Sequence, residues 1–140
     1  MPSIRFFNEG VRFSIPHQRK TSSWIKESIK LERQSLGDLN FIFCTDEFLR
    51  SVNVDYLNHD FYTDVITFDN SEEGSILSGD IFISIDRVKE NALELAIPFE
   101  TELHRVIIHG VLHLAGYSDK NRNKKALMRK KEDAYLSLWR

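Results

Sequence analysis

The sequence predicts one α+β domain over residues 1–140, with about four strands in a mixed sheet packed by helices. Two observations carry that reading. Short apolar, strand-like runs recur at Ile4–Phe7, Leu39–Cys44, Asp64–Phe68 and Asp80–Ile85, and segments with helical spacing separate them. The chain has 140 residues, ten of them Phe, and shows no repeat, linker or low-complexity tract, which suits a single unit with a real core.

Each element has its own signal. Ile4 to Phe7 is apolar and β-prone. Residues from about His17 to Gln34 read as a helix with Trp24, Ile25, Ser28 and Ile29 inward and Gly37 beyond its end. Leu39 to Cys44 reads as a buried strand. Thr45 is placed to cap the next helix, whose first turn holds Asp46 and Glu47 near the positive end of its dipole. Asp64–Phe68 and Asp80–Ile85 are strands, with Ile81, Ile83 and Ile85 on one face. An acidic loop from Asp69 to Ser78 joins them. Asp86 reads as the cap of a helix to about Ala96. Pro98 opens another helix, and a last one runs from about Asn123 to Trp139.

Composition excludes several classes. No apolar run approaches the ~20 residues of a membrane span. Met1-Pro2-Ser3-Ile4-Arg5 lacks the layout of a secretion signal. A lone Cys44 forms no internal disulfide and reads as a small core residue, so a cytoplasmic setting is expected. The net charge of −2 gives no general sign of nucleic-acid binding. Its distribution says more: from Asp119 to Arg140 there are eight basic and three acidic residues, a local charge of +5. Lys120, Arg122, Lys124 and Lys125 follow Asp119 directly, as RNA-contact candidates or as a solvated helix face.

The chemistry is concentrated in His109-Gly110-Val111-Leu112-His113-Leu114-Ala115-Gly116-Tyr117-Ser118-Asp119. Residues four apart share a helix face, so both imidazoles reach one ion. Gly116 lets the helix stop in a left-handed turn, which brings Asp119 back toward them. Five histidines make such a pair an easy accident; the glycine and carboxylate at fitting offsets make it specific. The competing reading is two core histidines satisfied by hydrogen bonds, and this run supplies few partners. Three protein ligands with an open position describe a catalytic zinc, one per chain. The spacing resembles the metzincin pattern, so a metzincin-like metal-binding helix is expected. Zinc peptidases place a Glu general base directly after the first His. Here that residue is Gly110, which disfavours peptide hydrolysis.

Residues 109–117 resemble the signature of the YbeY family of metal-dependent endoribonucleases, the rRNA maturation factors. A second block agrees: Leu57-Asn58, then Tyr62-Thr63-Asp64-Val65-Ile66-Thr67-Phe68, then Gly79-Asp80-Ile81-Phe82-Ile83-Ser84. The resemblance covers roughly residues 38–137. It implies a zinc-dependent single-strand endoribonuclease acting on rRNA precursor in the small subunit, at the 16S 3′ end, and in ribosome quality control, with neither DNA nor membrane as partner. Two positions depart from the family. A third His is usual where this chain has Asp119, itself an acceptable zinc ligand. A basic residue, often Arg, is common before the T-D-V element; here the stretch is His59-Asp60-Phe61, so His59 or another segment must meet phosphate.

Candidates for proton transfer are His59, Asp64, Asp80 and Ser118. Each also has an ordinary role as a loop, turn or cap residue. Three other classes stay open: a zinc metallopeptidase-like hydrolase, a non-catalytic ribosome-assembly module with a structural metal, and a non-haem iron oxygenase, which also uses two His and a carboxylate. The zinc-hydrolase spacing fits better than the last.

Overall fold

A computed structural model describes residues 2–72 and 74–139. Glu73, in the acidic loop, lies outside them. The elements run β1 (Ser3–Glu9), α1 (Gln18–Leu31), β2 (Ser35–Cys44), α2 (Asp46–Leu57), β3 (Val65–Asp69), β4 (Ile76–Ser84), α3 (Ile85–Leu95), α4 (Phe99–Leu114) and α5 (Arg122–Leu136). The sheet order is β1-β2-β4-β3. β1 and β4 both pair parallel with β2, while β3 pairs antiparallel with β4 and forms an edge. This is the mixed four-stranded α+β architecture that the sequence implies.

The core lies between one sheet face and the helices. Phe41, Phe43, Ile81 and Ile83 meet Ile25 and Ile29 of α1 and Leu103, Ile107 and Ile108 of α4, all essentially without solvent contact. A smaller cluster of Cys44, Leu49, Val52 and Ile66 sits under α2 on the opposite face. Burial pushes the Cys44 thiol up to about 12, with Asp86 adding to the shift. Cys44 is thus the inert core residue expected.

Several boundaries differ from the sequence reading. β2 begins at Ser35 and β4 at Ile76, the latter inside the span read as a loop, and Ile85 opens α3 instead of ending the strand. Gly37 does lie past the end of α1, but inside β2 rather than in the turn that stops the helix. A Cβ there would overlap Ser78 Oγ and come within 2.8 Å of the Leu77 carbonyl oxygen, at a register shift between Leu36 and Leu39. The end of α1 is instead marked by Arg33 in the left-handed region at φ 59°. Asp86 does not cap α3. Ser84 does, its hydroxyl accepting from the Arg87 N–H at 3.1 Å. The Asp86 carboxylate accepts from the Asp46 N–H at 2.9 Å, and Asp46 pairs with Arg87 at 2.7 Å, so the starts of α2 and α3 brace each other. α5 ends at Leu136 because the chain turns to lay Trp139 against His104, ring centroids 3.9 Å apart, and against Trp24.

His104 shares α4 with the motif histidines but belongs to this aromatic cluster. It is 2% exposed. Burial holds its pKa down at about 4, with Lys20 and His17 also lowering it. The unfolded chain therefore binds its proton first as pH drops. The stability from keeping His104 neutral is complete above about pH 6.5 and is lost as pH falls toward 4. Against His104→Phe, the wild type should lose an extra ~2–3 kcal/mol between pH 7 and pH 4.5. Urea titrations at both pH values check this; parallel losses in the two proteins would remove His104 as the cause.

Candidate metal centre

α4 packs against the sheet along its length, which fixes the face carrying His109 and His113. Gly110 shows how tightly. Its Cβ would lie 2.8 Å from Ile81 Cγ2 and 3.5 Å from Thr67 Cγ2. The position after the first His thus faces the sheet, and even a Cβ there would displace Ile81. At the end of α4, Gly116 adopts φ 108° and its N–H donates to the His113 carbonyl at 3.0 Å, while the Tyr117 N–H donates to the Leu112 carbonyl at 3.0 Å. That left-handed turn reverses the chain and returns Asp119 to the histidines.

The three groups converge. His109 Nε2 and His113 Nε2 are 2.9 Å apart, and Asp119 Oδ2 is 3.5 Å from the first and 3.6 Å from the second. Among the described residues they form a group of potential ligand atoms all within 4.8 Å of one another. Tetrahedral ligands at about 2.0–2.1 Å from zinc lie roughly 3.3 Å apart, a value these three separations bracket. The other ring nitrogens are committed. His109 Nδ1 meets Glu132 Oε2 at 2.6 Å, and His113 Nδ1 meets the Tyr117 carbonyl at 3.1 Å. Both partners are acceptors, so each Nδ1 carries the proton and each Nε2 turns a lone pair inward. Two lone pairs and a carboxylate facing one point repel one another unless a proton or a metal ion lies between them. The residues present fit a zinc ion.

Glu132 comes from α5 and is held by Arg105, whose Nη1 lies 3.1 Å from Glu132 Oε1 and 3.4 Å from Asp133. Burial opposes protonation of His109, but the Glu132 hydrogen bond and charge, with Asp64 and Asp119, raise its pKa. For His113, burial and the neighbouring His109 lower it. Asp64 stands at the start of β3 in a cleft of about 460 Å³ shared with His109, Asp119, Glu102, Arg129 and Glu132. Burial raises its pKa, and Glu132 adds to the rise. Glu102 is raised by burial as well, with Asp64 and Glu132 contributing.

The other sequence candidates scatter. His59 lines a separate groove that reaches His113. The Ser118 hydroxyl accepts from the Lys120 N–H at 3.2 Å, a turn contact. Asp80 alternates with Ile81, so it lies on the sheet face away from α4, bonded to Asn40 at 3.0 Å and Asn70 at 3.4 Å. Lys125 lines a recess with His109, Asp119 and Arg129, whereas Lys120, Arg122 and Lys124 are exposed outside it. Sequence reading missed Glu132, Arg129 and Arg105. A signal existed: Lys125, Met128, Arg129 and Glu132 share one α5 face, with Met128 buried.

The sequence matches the family model described as Endoribonuclease YbeY over residues 7–140. The chain belongs to the YbeY endoribonuclease family. An Endoribonuclease YbeY from Cytophaga hutchinsonii is 50% identical over 136 residues, covering 97% of this chain and 95% of that one. The Flavobacterium psychrophilum protein of the same name is 49% identical over 133 residues, covering 95% and 94%. A solution structure of a Thermotoga maritima protein shares the fold, with TM-score 0.66 and 31% identity, covering 96% of this chain and 87% of that one.

Proposed function

We propose that this YbeY-family chain is a zinc-dependent single-strand endoribonuclease of rRNA maturation and ribosome quality control, acting at the 16S 3′ end, and that His109, His113 and Asp119 hold one zinc per chain. The observation that carries the proposal is the pair of Nε2 lone pairs converging on Asp119, each fixed by an acceptor behind it. Bound zinc supplies Lewis acidity, which acidifies water or polarises a phosphoryl oxygen. Asp64 is the group best placed to accept a proton from the attacking hydroxyl: it shares the cleft with His109 and Asp119, and burial keeps its carboxyl above the usual range. Arg129 and Lys125, on the α5 side, are positioned to neutralise phosphate. Lys120, Arg122 and Lys124 extend that charge along the exposed start of α5. Ser118 shapes the turn that delivers Asp119.

The peptidase reading lacks the Glu that zinc peptidases carry after the first histidine: Gly110 stands there, against Ile81. No described helix is long and apolar enough to cross a membrane. One preparation tests the proposal through three readouts: metal content, cleavage of single-stranded RNA, and cleavage of casein. The expected result is about one zinc per chain, cut RNA and intact casein. RNA affinity should fall with salt at a log–log slope of about −0.7 per phosphate neutralised, and Lys125→Ser with Arg129→Ser should flatten it. Cut casein with intact RNA would establish a peptidase. Bound zinc with neither substrate cut would leave an assembly module.

A further inference from the structure

Beside His113, a second groove of about 230 Å³ is lined by Asn53, His59, Phe61, Thr63, Thr67 and His113 among others. We propose that this groove is a nucleobase subsite, in which one unpaired base next to the scissile phosphate stacks on the His59–Phe61 pair. The inference rests on the RNA-cleaving reading of the metal centre and names a contact that reading leaves open.

The two rings stack, centroids 5.4 Å apart and 21° from parallel, although Phe61 is 53% exposed. A surface Phe costs nothing by itself, but one paired with another ring beside a catalytic centre offers a ready π-face. The loop is held in place. Asn53 is buried, its Nδ2–H donates to the Phe61 carbonyl at 3.1 Å, and its own carbonyl accepts from the His59 N–H at 3.1 Å. Asp60, between the two residues in sequence, pairs with Arg50 at 2.8 Å. The platform is thus preorganised, and stacking a base on it orders little protein.

The groove's other wall is β3, an edge strand paired on one side only, by β4. Its outward backbone groups near Val65–Thr67, with the Thr63 and Thr67 hydroxyls, offer donors and acceptors to a base edge. The volume is below the roughly 300 Å³ at which drug-sized sites begin, and fits one ring system rather than a base pair. His113 is shared with the metal centre, so a base here is one nucleotide from the bond that is cut. A base in a duplex cannot enter without unpairing, which accounts for a single-strand preference without any sequence code.

The test replaces nucleotides of a cleaved single-stranded RNA one at a time by an abasic residue. It is run on zinc-loaded wild type, Phe61→Ala, Phe61→Leu and Phe61→Tyr. A second arm reads binding by the fluorescence of 2-aminopurine at each position. In the wild type, one position flanking the cut should be sensitive, losing roughly tenfold or more in binding and cleavage and showing quenched 2-aminopurine. Phe61→Ala and Phe61→Leu should lose about the same amount and become indifferent to the abasic residue there, with zinc content and melting temperature unchanged; Phe61→Tyr should restore both. Non-additivity at that one position is what a shared contact requires. Additive losses, or cleavage by Phe61→Leu equal to wild type, would overturn the subsite while leaving the nuclease reading intact. A wild type that cuts no RNA would overturn both.

Discussion

Replacing His113 by alanine should strip the zinc and reduce RNA cleavage by about 10³-fold or more, while leaving the fold in place. A metal that stabilises phosphoryl charge contributes several kcal/mol, and each ~1.4 kcal/mol is a tenfold change in rate. The fold survives because His113 lies at the last turn of α4, half-buried, and the core is built from Leu103, Ile107 and Ile108 on its other faces. Asp119→Ala should weaken metal and activity together but less completely, since two ring nitrogens remain. Asp119→His should keep the metal, since imidazole and carboxylate both ligate zinc. Metal analysis, single-turnover cleavage and far-UV circular dichroism on the same samples check all three. Zinc content undiminished in His113→Ala would end the assignment. Asp119→Ala indistinguishable from wild type would reduce Asp119 to a turn residue.

What the sequence made legible follows from how local each signal was. His109 and His113 are fixed to one face by helix geometry alone, and Gly116 with Asp119 needed one turn more, so the whole triad could be read in eleven consecutive residues. Thr45 announced α2 through a contact three residues long, its hydroxyl accepting from the Phe48 N–H at 3.1 Å. The failures were long-range. Ser84 and Asp86 both suit a cap, and the choice was settled by Asp46 from a different helix, which takes the Asp86 carboxylate. Gly37 looks like a helix stop until β4 is set beside it. Glu132 lies 23 residues from His109, and nothing within α5 says that its carboxylate will end 2.6 Å from a ring nitrogen. Asp64 just precedes β3 and Asp80 lies in the middle of β4, not at its start as its surroundings suggest, and pleat and register send one to the metal cleft and the other to the opposite face.

Gly110→Glu should fail to fold, and Gly110→Ala should fold with a net loss of about 1–2 kcal/mol. By propensity alone alanine would gain up to ~1 kcal/mol in mid-helix. Its Cβ, however, would sit 2.8 Å from Ile81 Cγ2, and Ile81 is fully buried in the centre of the sheet. Neither α4 nor β4 can retreat without opening the main core, so overpacking of about 1–3 kcal/mol outweighs the propensity gain. Glutamate adds a carboxylate between helix and sheet with no cation to meet it, a buried unpaired charge beyond what a marginal domain tolerates. Urea unfolding of Gly110→Ala and soluble yield of Gly110→Glu check the pair. The consequence reaches the chemistry. The residue after the first histidine is where a zinc peptidase carries its base, and here the close packing of α4 on Ile81 and Thr67 denies that position a side chain of that length. If Gly110→Glu folded, bound zinc and cut casein, the sheet contact would not be a barrier to a base at this position.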